Sequence, residues 1–216
     1  MPRIIDLTMP LEDGLRGISI EPARTIAEHG WNATTLHLYS HAGTHMDAPT
    51  HFGVGDQTID RIPLDKCMGP AWIADLMGIE PRAVISVGDL GTTAQHLRPG
   101  DGLLLRTGWS RRYREPAYRD ELPRVGLELA RWCVEKGVRV LGVEPPSVAD
   151  VNDIEEVTAV HKVLLAGGVI IVESLVNLDQ IREDKVTFMV FPLKVAGGDG
   201  APVRALAIEE QEGPTA

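Results

Sequence analysis

Three of the seven histidines in this 216-residue chain fall between positions 41 and 51. The stretch reads His41-Ala-Gly-Thr-His45-Met-Asp47-Ala-Pro-Thr-His51. With Asp47 it offers four groups that bind metals or move protons. Positions 41, 45, 47 and 51 differ only by even steps. Side chains on an extended backbone alternate faces with period two, so the spacing predicts that all four project from one side of an extended or looped segment. A helix would align His41 with His45 but rotate Asp47 and His51 away. Gly43 and Pro49 also disfavour a helix. Imidazole and carboxylate together suit Zn²⁺, Mn²⁺ or Fe²⁺. The competing reading is that these are surface residues or a hydrogen-bonded core. Burying four such groups without a partner is costly, which favours the ion.

Two further candidates lie in the second half. His161 sits on an apolar-periodic stretch, residues 154–166, with Leu164 and Leu165 on the same helical face. Glu173 follows the apolar run Val169 to Val172, and the carboxyl ends of buried strands are where α/β proteins place binding groups. Trp109, after Thr107-Gly108, is a candidate wall for a planar substrate; the alternative is an ordinary core aromatic.

The elements that must position these groups read as follows. Strands are expected at 3–8, 32–40, 71–76, 103–105, 138–143, 169–172, 186–193 and 202–208. Asp89 is placed to cap a short helix reaching His96. A longer helix is expected over 125–136, stopped by Gly137, and another over 154–166, closed by Gly167-Gly168. Residues 11–30, rich in Gly, Pro and acids, read mostly as loop. Strands and helices alternate in the second half, which predicts one α/β domain with a mixed sheet over 1–208 and a polar tail over 209–216.

Composition narrows the function. Apolar residues make up 44% and charged residues 24%, ordinary globular usage. No apolar run is long enough to span a bilayer. The formal net charge of −10 repels a phosphate backbone, so neither nucleic acid nor membrane is an expected partner. Two cysteines without a CxxC pair, and a start lacking an apolar signal segment, suit the cytoplasm. No GxGxxG or GxxxxGK[ST] phosphate loop occurs.

The run from His41 to Phe52 resembles the HxGTHxDxPxH signature of the cyclase-type metal-dependent hydrolases. That family includes bacterial kynurenine formamidases and isatin hydrolases. The resemblance continues through Arg106-Thr107-Gly108-Trp109, Gly142-Val143-Glu144-Pro145-Pro146-Ser147, His161 with Glu173, Pro192-Leu193-Lys194 and Asp199-Gly200-Ala201-Pro202. It implies a compact swivelling β/β/α fold. It also implies a metal held by His41, His45 and Asp47. In members with two ions, Asp47 bridges to a second one held with His161 and Glu173. His51 corresponds to the acid/base residue. The implied activity is hydrolysis of an amide C–N bond, in a formamide or a cyclic amide, with Zn or Mn as one or two ions. The implied assembly is a homodimer or homotetramer in which neighbouring chains often complete the site. A lactone hydrolase, a non-hydrolytic cyclase and a non-catalytic metal protein with His51 as fourth ligand are the alternatives. Two departures stand out. Glu144 occupies a position where the family usually has Asp, and residues 11–22 lack the Trp-Pro-Gly-Asp-like stretch of kynurenine formamidases.

Overall fold

The computed structural model describes residues 2–210. Twelve strands are formed: β1 Arg3–Asp6, β2 Ile18–Arg24, β3 Ala33–Leu38, β4 His45–Asp47, β5 Met68–Asp75, β6 Val84–Ile85, β7 Gly102–Arg106, β8 Arg124–Val125, β9 Val140–Val143, β10 Ile170–Glu173, β11 Lys185–Pro192 and β12 Gly200–Glu209. The α-helices are α1 Ile26–His29, α2 Thr93–His96, α3 Ala117–Asp120, α4 Leu127–Lys136 and α5 Ile154–Ala166.

Eight strands make one mixed sheet in the order β1-β12-β11-β5-β7-β9-β10-β4. The β5–β7, β7–β9 and β9–β10 pairs are parallel, and the others are antiparallel. Strand β4 also pairs with β12. That last ladder closes seven of the strands into a barrel, so the expected α/β mixed-sheet domain is the fold observed.

The run Leu103-Leu104-Leu105 shows why the parallel strands are uniformly apolar. Leu104 points into the barrel with Met46, Phe188 and Val172. Leu103 and Leu105 point outward, into a second core shared with Leu129 and Cys133 of α4 and Leu164 of α5. Both faces are buried, so no polar alternation survives. Helix α5 starts where Asp153 accepts hydrogen bonds from the backbone N–H groups of Glu155 and Glu156. Helix α4 ends at Gly137 in the left-handed region, φ 69°.

Several expectations are corrected. Residues 11–30 are not all loop: β2 forms there and pairs with β3 as an antiparallel hairpin. Gly91, at φ 55°, divides the expected helix after Asp89 into a 3-10 turn at Gly88–Leu90 and the short α2. Arg124 and Val125 pair with β6 rather than opening α4. Glu209 is the last residue of β12, and it accepts hydrogen bonds from the backbone N–H of Arg182 and Glu183 and an ion pair from Arg3. The rest of the expected tail, 211–216, lies outside the described residues.

Candidate functional site

Strand β4 is the element that brings the motif to the sheet. Its central residue, Met46, is fully buried in the barrel core. His45 and Asp47 therefore face the other way, as the even spacing requires. The one-face expectation holds for these two only. His41 lies in the turn before β4, where Gly43 adopts φ 58°. His51 lies on a 3-10 helix, Pro49–Phe52, that ends at Gly53 with φ 64°. Pro49 opens that helix, a position where its missing N–H is no loss, so it does not oppose helical structure here. The helix turns His51 back until its ring stacks on His41, with centroids 3.9 Å apart and planes 27° apart.

The structure brings all six chemical candidates together. His45 Nε2 lies 3.1 Å from Glu173 Oε2, and His161 Nε2 lies 3.3 Å from Glu173 Oε1. Asp47 Oδ1 is 3.7 Å from His45 Nε2, and Asp47 Oδ2 is 3.7 Å from His161 Nε2. His41 Nδ1 meets Asp47 Oδ1 at 2.8 Å. His161 comes from α5, whose carbonyl of Val157 accepts the His161 Nδ1 proton at 2.7 Å. The carbonyl of Gly43 does the same for His45 Nδ1 at 2.8 Å. Carbonyls only accept, so in each ring Nδ1 carries hydrogen and Nε2 is turned toward the carboxylates. Glu173 Oε1 also accepts the backbone N–H of Val148 at 2.7 Å.

This arrangement calls for a cation between its members. Asp47 is buried, and its Oδ2 has no hydrogen-bond partner among the described residues. An orphaned buried carboxylate oxygen is unfavourable unless positive charge reaches it. Burial disfavours charged imidazole at His45 and His161, yet Glu173 and Asp47 raise both rings above their ordinary value. Burial likewise disfavours the Glu173 carboxylate, yet His161 and His45 hold it well below its usual range. For His41, the bond and charge of Asp47 outweigh burial and raise it to about 9. The sets His41–His45–Asp47 and Asp47–His161–Glu173 each place their ligand atoms within 4.8 Å of one another. Nitrogen and carboxylate donors at such spacing suit a divalent transition-metal ion, and Asp47 is common to both sets.

These groups lie at one end of a cavity of about 520 Å³, whose walls include Leu15, Tyr39, Phe52, Tyr113, Tyr118 and Val151. His51 lines it and is 24% exposed. Burial pulls His51 below its ordinary value, with His41 and His161 adding to the effect against the pull of Asp47. Phe52 stacks on His161 at 4.4 Å and covers that ring.

Trp109 is not at the cavity surface. It is 4% exposed and packs with Met9, Tyr118, Leu122 and Val176. Its indole N–H donates to the carbonyl of Tyr118, so it stands behind a wall residue rather than in the wall. Glu144 is also structural. It accepts hydrogen bonds from the backbone N–H and hydroxyl of Thr107, the backbone N–H of Gly108 and the hydroxyl of Ser110. Asp199 is the site residue that reading the sequence left without a role. Its Oδ2 lies 3.1 Å from His41 Nε2 and 3.5 Å from His51 Nδ1. The signal for it was its place in the Asp199-Gly200-Ala201-Pro202 run, which carries part of the family resemblance.

A family described as "Putative cyclase" matches residues 5–151. The chain belongs to this cyclase family. A kynurenine formamidase from Bacillus thuringiensis (strain Al Hakam) is 32% identical over 209 residues, 94% of this chain and 95% of the relative. Among solved structures, the cyclase-family fold is shared with isatin hydrolase A from Labrenzia aggregata. That likeness has a TM-score of 0.87 at 24% identity, over 96% of this chain and 93% of the other. A structure titled "Potential Metal-Dependent Hydrolase With Cyclase Activity" matches with a TM-score of 0.77 at 29% identity, over 98% and 100% of the two chains.

Proposed function

We propose that the protein is a metal-dependent hydrolase that cleaves an amide C–N bond in a small molecule, either a formamide or a cyclic amide. One observation carries the reading. Two imidazole Nε2 atoms and two buried carboxylates converge beside a cavity with aromatic walls, and one of those carboxylate oxygens has no hydrogen-bond partner among the described residues. The names of the relatives agree with it: kynurenine formamidase at 32% identity, and a metal-dependent hydrolase at 29%.

His41, His45 and Asp47 would hold one ion, and Asp47, His161 and Glu173 a second. A divalent ion there supplies Lewis-acid polarisation and lowers the pKa of water from 15.7 toward about 7. The donor set of imidazole and carboxylate suits zinc or manganese. The carbonyls of Gly43 and Val157 fix the tautomers of His45 and His161, so these two rings would present Nε2 to an ion without a tautomer change. His51, on the cavity wall, takes a proton from the attacking water and passes it to the leaving nitrogen. Tyr39, Phe52, Tyr113 and Tyr118 hold a flat, apolar substrate body and keep bulk water away.

The hairpin carries exposed Ile26, Trp31, Leu36 and Tyr39 at its tip and base. These exposed apolar side chains support self-association into a homodimer or homotetramer. Two free, buried cysteines and an acidic surface support a cytoplasmic location.

The test is turnover. Protein loaded with zinc or manganese is assayed against aryl formamides, lactams and lactones, before and after chelation. Hydrolysis of a formamide or lactam that chelation abolishes and metal restores is the expected result. Bound metal with no turnover on any member of the panel, or with turnover of lactones alone, overturns the reading.

A further inference from the structure

We propose that Asp199 is a positioning residue that sets the ring orientation and tautomer of His51. The inference rests on the reading of His51 as the proton-transfer group.

The fold delivers Asp199 to this place by backbone pairing. It immediately precedes β12, whose first residue, Gly200, is the register partner of Asp47 in β4. Its carbonyl accepts the N–H of Ala48 at 2.9 Å. These bonds hold the residue next to the start of the 3-10 helix that carries His51. The carboxylate then meets ring nitrogens of two stacked imidazoles. Asp199 Oδ2 is 3.1 Å from His41 Nε2 and 3.5 Å from His51 Nδ1. At 3.5 Å the His51 contact is at ion-pair distance, and catalytic hydrogen bonds are often that long before substrate binds.

The neighbouring glycine is an independent sign that the segment is shaped for these rings. A Cβ at Gly200 would sit 2.6 Å from His41 Cε1 and 2.9 Å from the carbonyl oxygen of Met46. The His41 ring uses space that any side chain at 200 would fill. The stack of His51 on His41 then transmits that placement to His51. A carboxylate opposite Nδ1 selects the tautomer with hydrogen on Nδ1. Nε2 is left as the nitrogen that accepts and returns the substrate's proton. His45 and His161 have their Nδ1 hydrogens held by backbone carbonyls, whereas His51 has a carboxylate from the far end of the chain for the same purpose.

The experiment is a double-mutant cycle read together with histidine nitrogen NMR on zinc-loaded protein. Asp199→Ala is expected to lower kcat by about 10–100-fold, the range for residues that orient a functional imidazole. KM and zinc content should stay unchanged. In wild type His51 should show hydrogen on Nδ1; in Asp199→Ala it should become a tautomer mixture, and Asp199→Glu should recover part of both signals. The double variant His51→Ala/Asp199→Ala should be no slower than His51→Ala, because the two residues act as one unit. Losses that multiply in the double variant, or an unchanged His51 tautomer in Asp199→Ala, overturn the proposal. So does a kcat that excess zinc restores, since Asp199 would then serve the ion through His41. If His51→Ala alone leaves kcat intact, the proposal falls with the reading of His51, and that failure is separately visible.

Discussion

His45 and Glu173 are register partners in the antiparallel β4–β10 ladder, and their side chains meet with Nε2 3.1 Å from Oε2. Backbone hydrogen bonding thus fixes the distance between two candidate metal ligands that are far apart in sequence. With His45, Asp47 and Glu173 on paired strands, that part of the site is ordered before any ion arrives, so less binding energy is spent on ordering it. The ion should then act as a strong stabiliser of the folded state. At a metal concentration 1,000 times Kd, binding adds about 4.1 kcal/mol, which for a chain of this size corresponds to roughly 8–16 °C in Tm. Calorimetry before and after dialysis against a chelator measures it. A Tm that chelation leaves unmoved would falsify the metal centre.

His51 and His41 should separate chemistry from ion binding. His51→Ala is expected to retain the metal while kcat falls by about 10²–10⁴-fold, the usual contribution of proton transfer. His41 touches both Asp47 and Asp199, and His41→Ala should lower the metal content itself. Elemental analysis beside steady-state kinetics distinguishes the two. Loss of metal from His51→Ala would make that ring a ligand instead.

Much of this was legible in the residues. Helix α5 was readable to its last turn because its apolar face and its Gly167-Gly168 stop agree with one another. The buried parallel strands announced themselves as apolar runs. The hairpin strand β2 did not, because Glu21 and Pro22 are loop-like residues and five of its seven positions are exposed. Asp199 was legible only as part of the Asp199-Gly200-Ala201-Pro202 run, without a role at the site, for another reason. It lies 158 positions from His41, and only the closure of β12 on β4 brings the two together. Trp109 misled because a tryptophan after a buried strand looks alike whether it lines a cavity or supports the residue that does.

Glu144 should prove structural rather than catalytic. Its carboxylate accepts from Thr107, Gly108 and Ser110, so it binds the loop after β7 to the loop after β9. Burial pushes its pKa up, and those donors oppose the push. Glu144→Gln keeps the shape but turns an amide N–H₂ toward donors. An expected loss of about 1–3 kcal/mol follows from leaving buried donors unpaired. Urea unfolding measures it, and metal content should be unchanged. Glu144→Asp, the residue usual in the family, should also destabilise, because the shorter side chain retracts from the same donors. An equally stable Asp variant would show that the loop adapts.

Gly200 should tolerate no side chain. The Cβ of Gly200→Ala would meet a ring atom of His41 at 2.6 Å and a backbone oxygen at 2.9 Å, and the backbone oxygen cannot swing aside. Overpacking of this kind costs about 1–3 kcal/mol. Displacement of His41 should also weaken metal binding and disturb the stack on His51. A chelator competition assay with thermal unfolding checks both. Normal affinity in a destabilised variant would mean that the strand moves and the ring does not.

Cys133 gives a prediction about pH. It lies on the buried face of α4, and burial pushes its thiol from an ordinary 9.0 up to about 12. The unfolded chain releases this proton near pH 9, while the native protein keeps it until near pH 12. Between those values the unfolded state holds fewer protons, so stability falls as pH rises, by up to about 1.4 kcal/mol per pH unit. Below pH 9 both states are protonated and the thiol adds no slope. Cys133→Ala removes a side chain from a packed core and lowers stability at every pH. Its stability should nevertheless decline less steeply between pH 9 and 11 than that of wild type. Urea unfolding of the two proteins across that window compares the slopes directly, since tyrosines and lysines contribute equally to both. Parallel slopes would mean that solvent reaches the thiol in the native state.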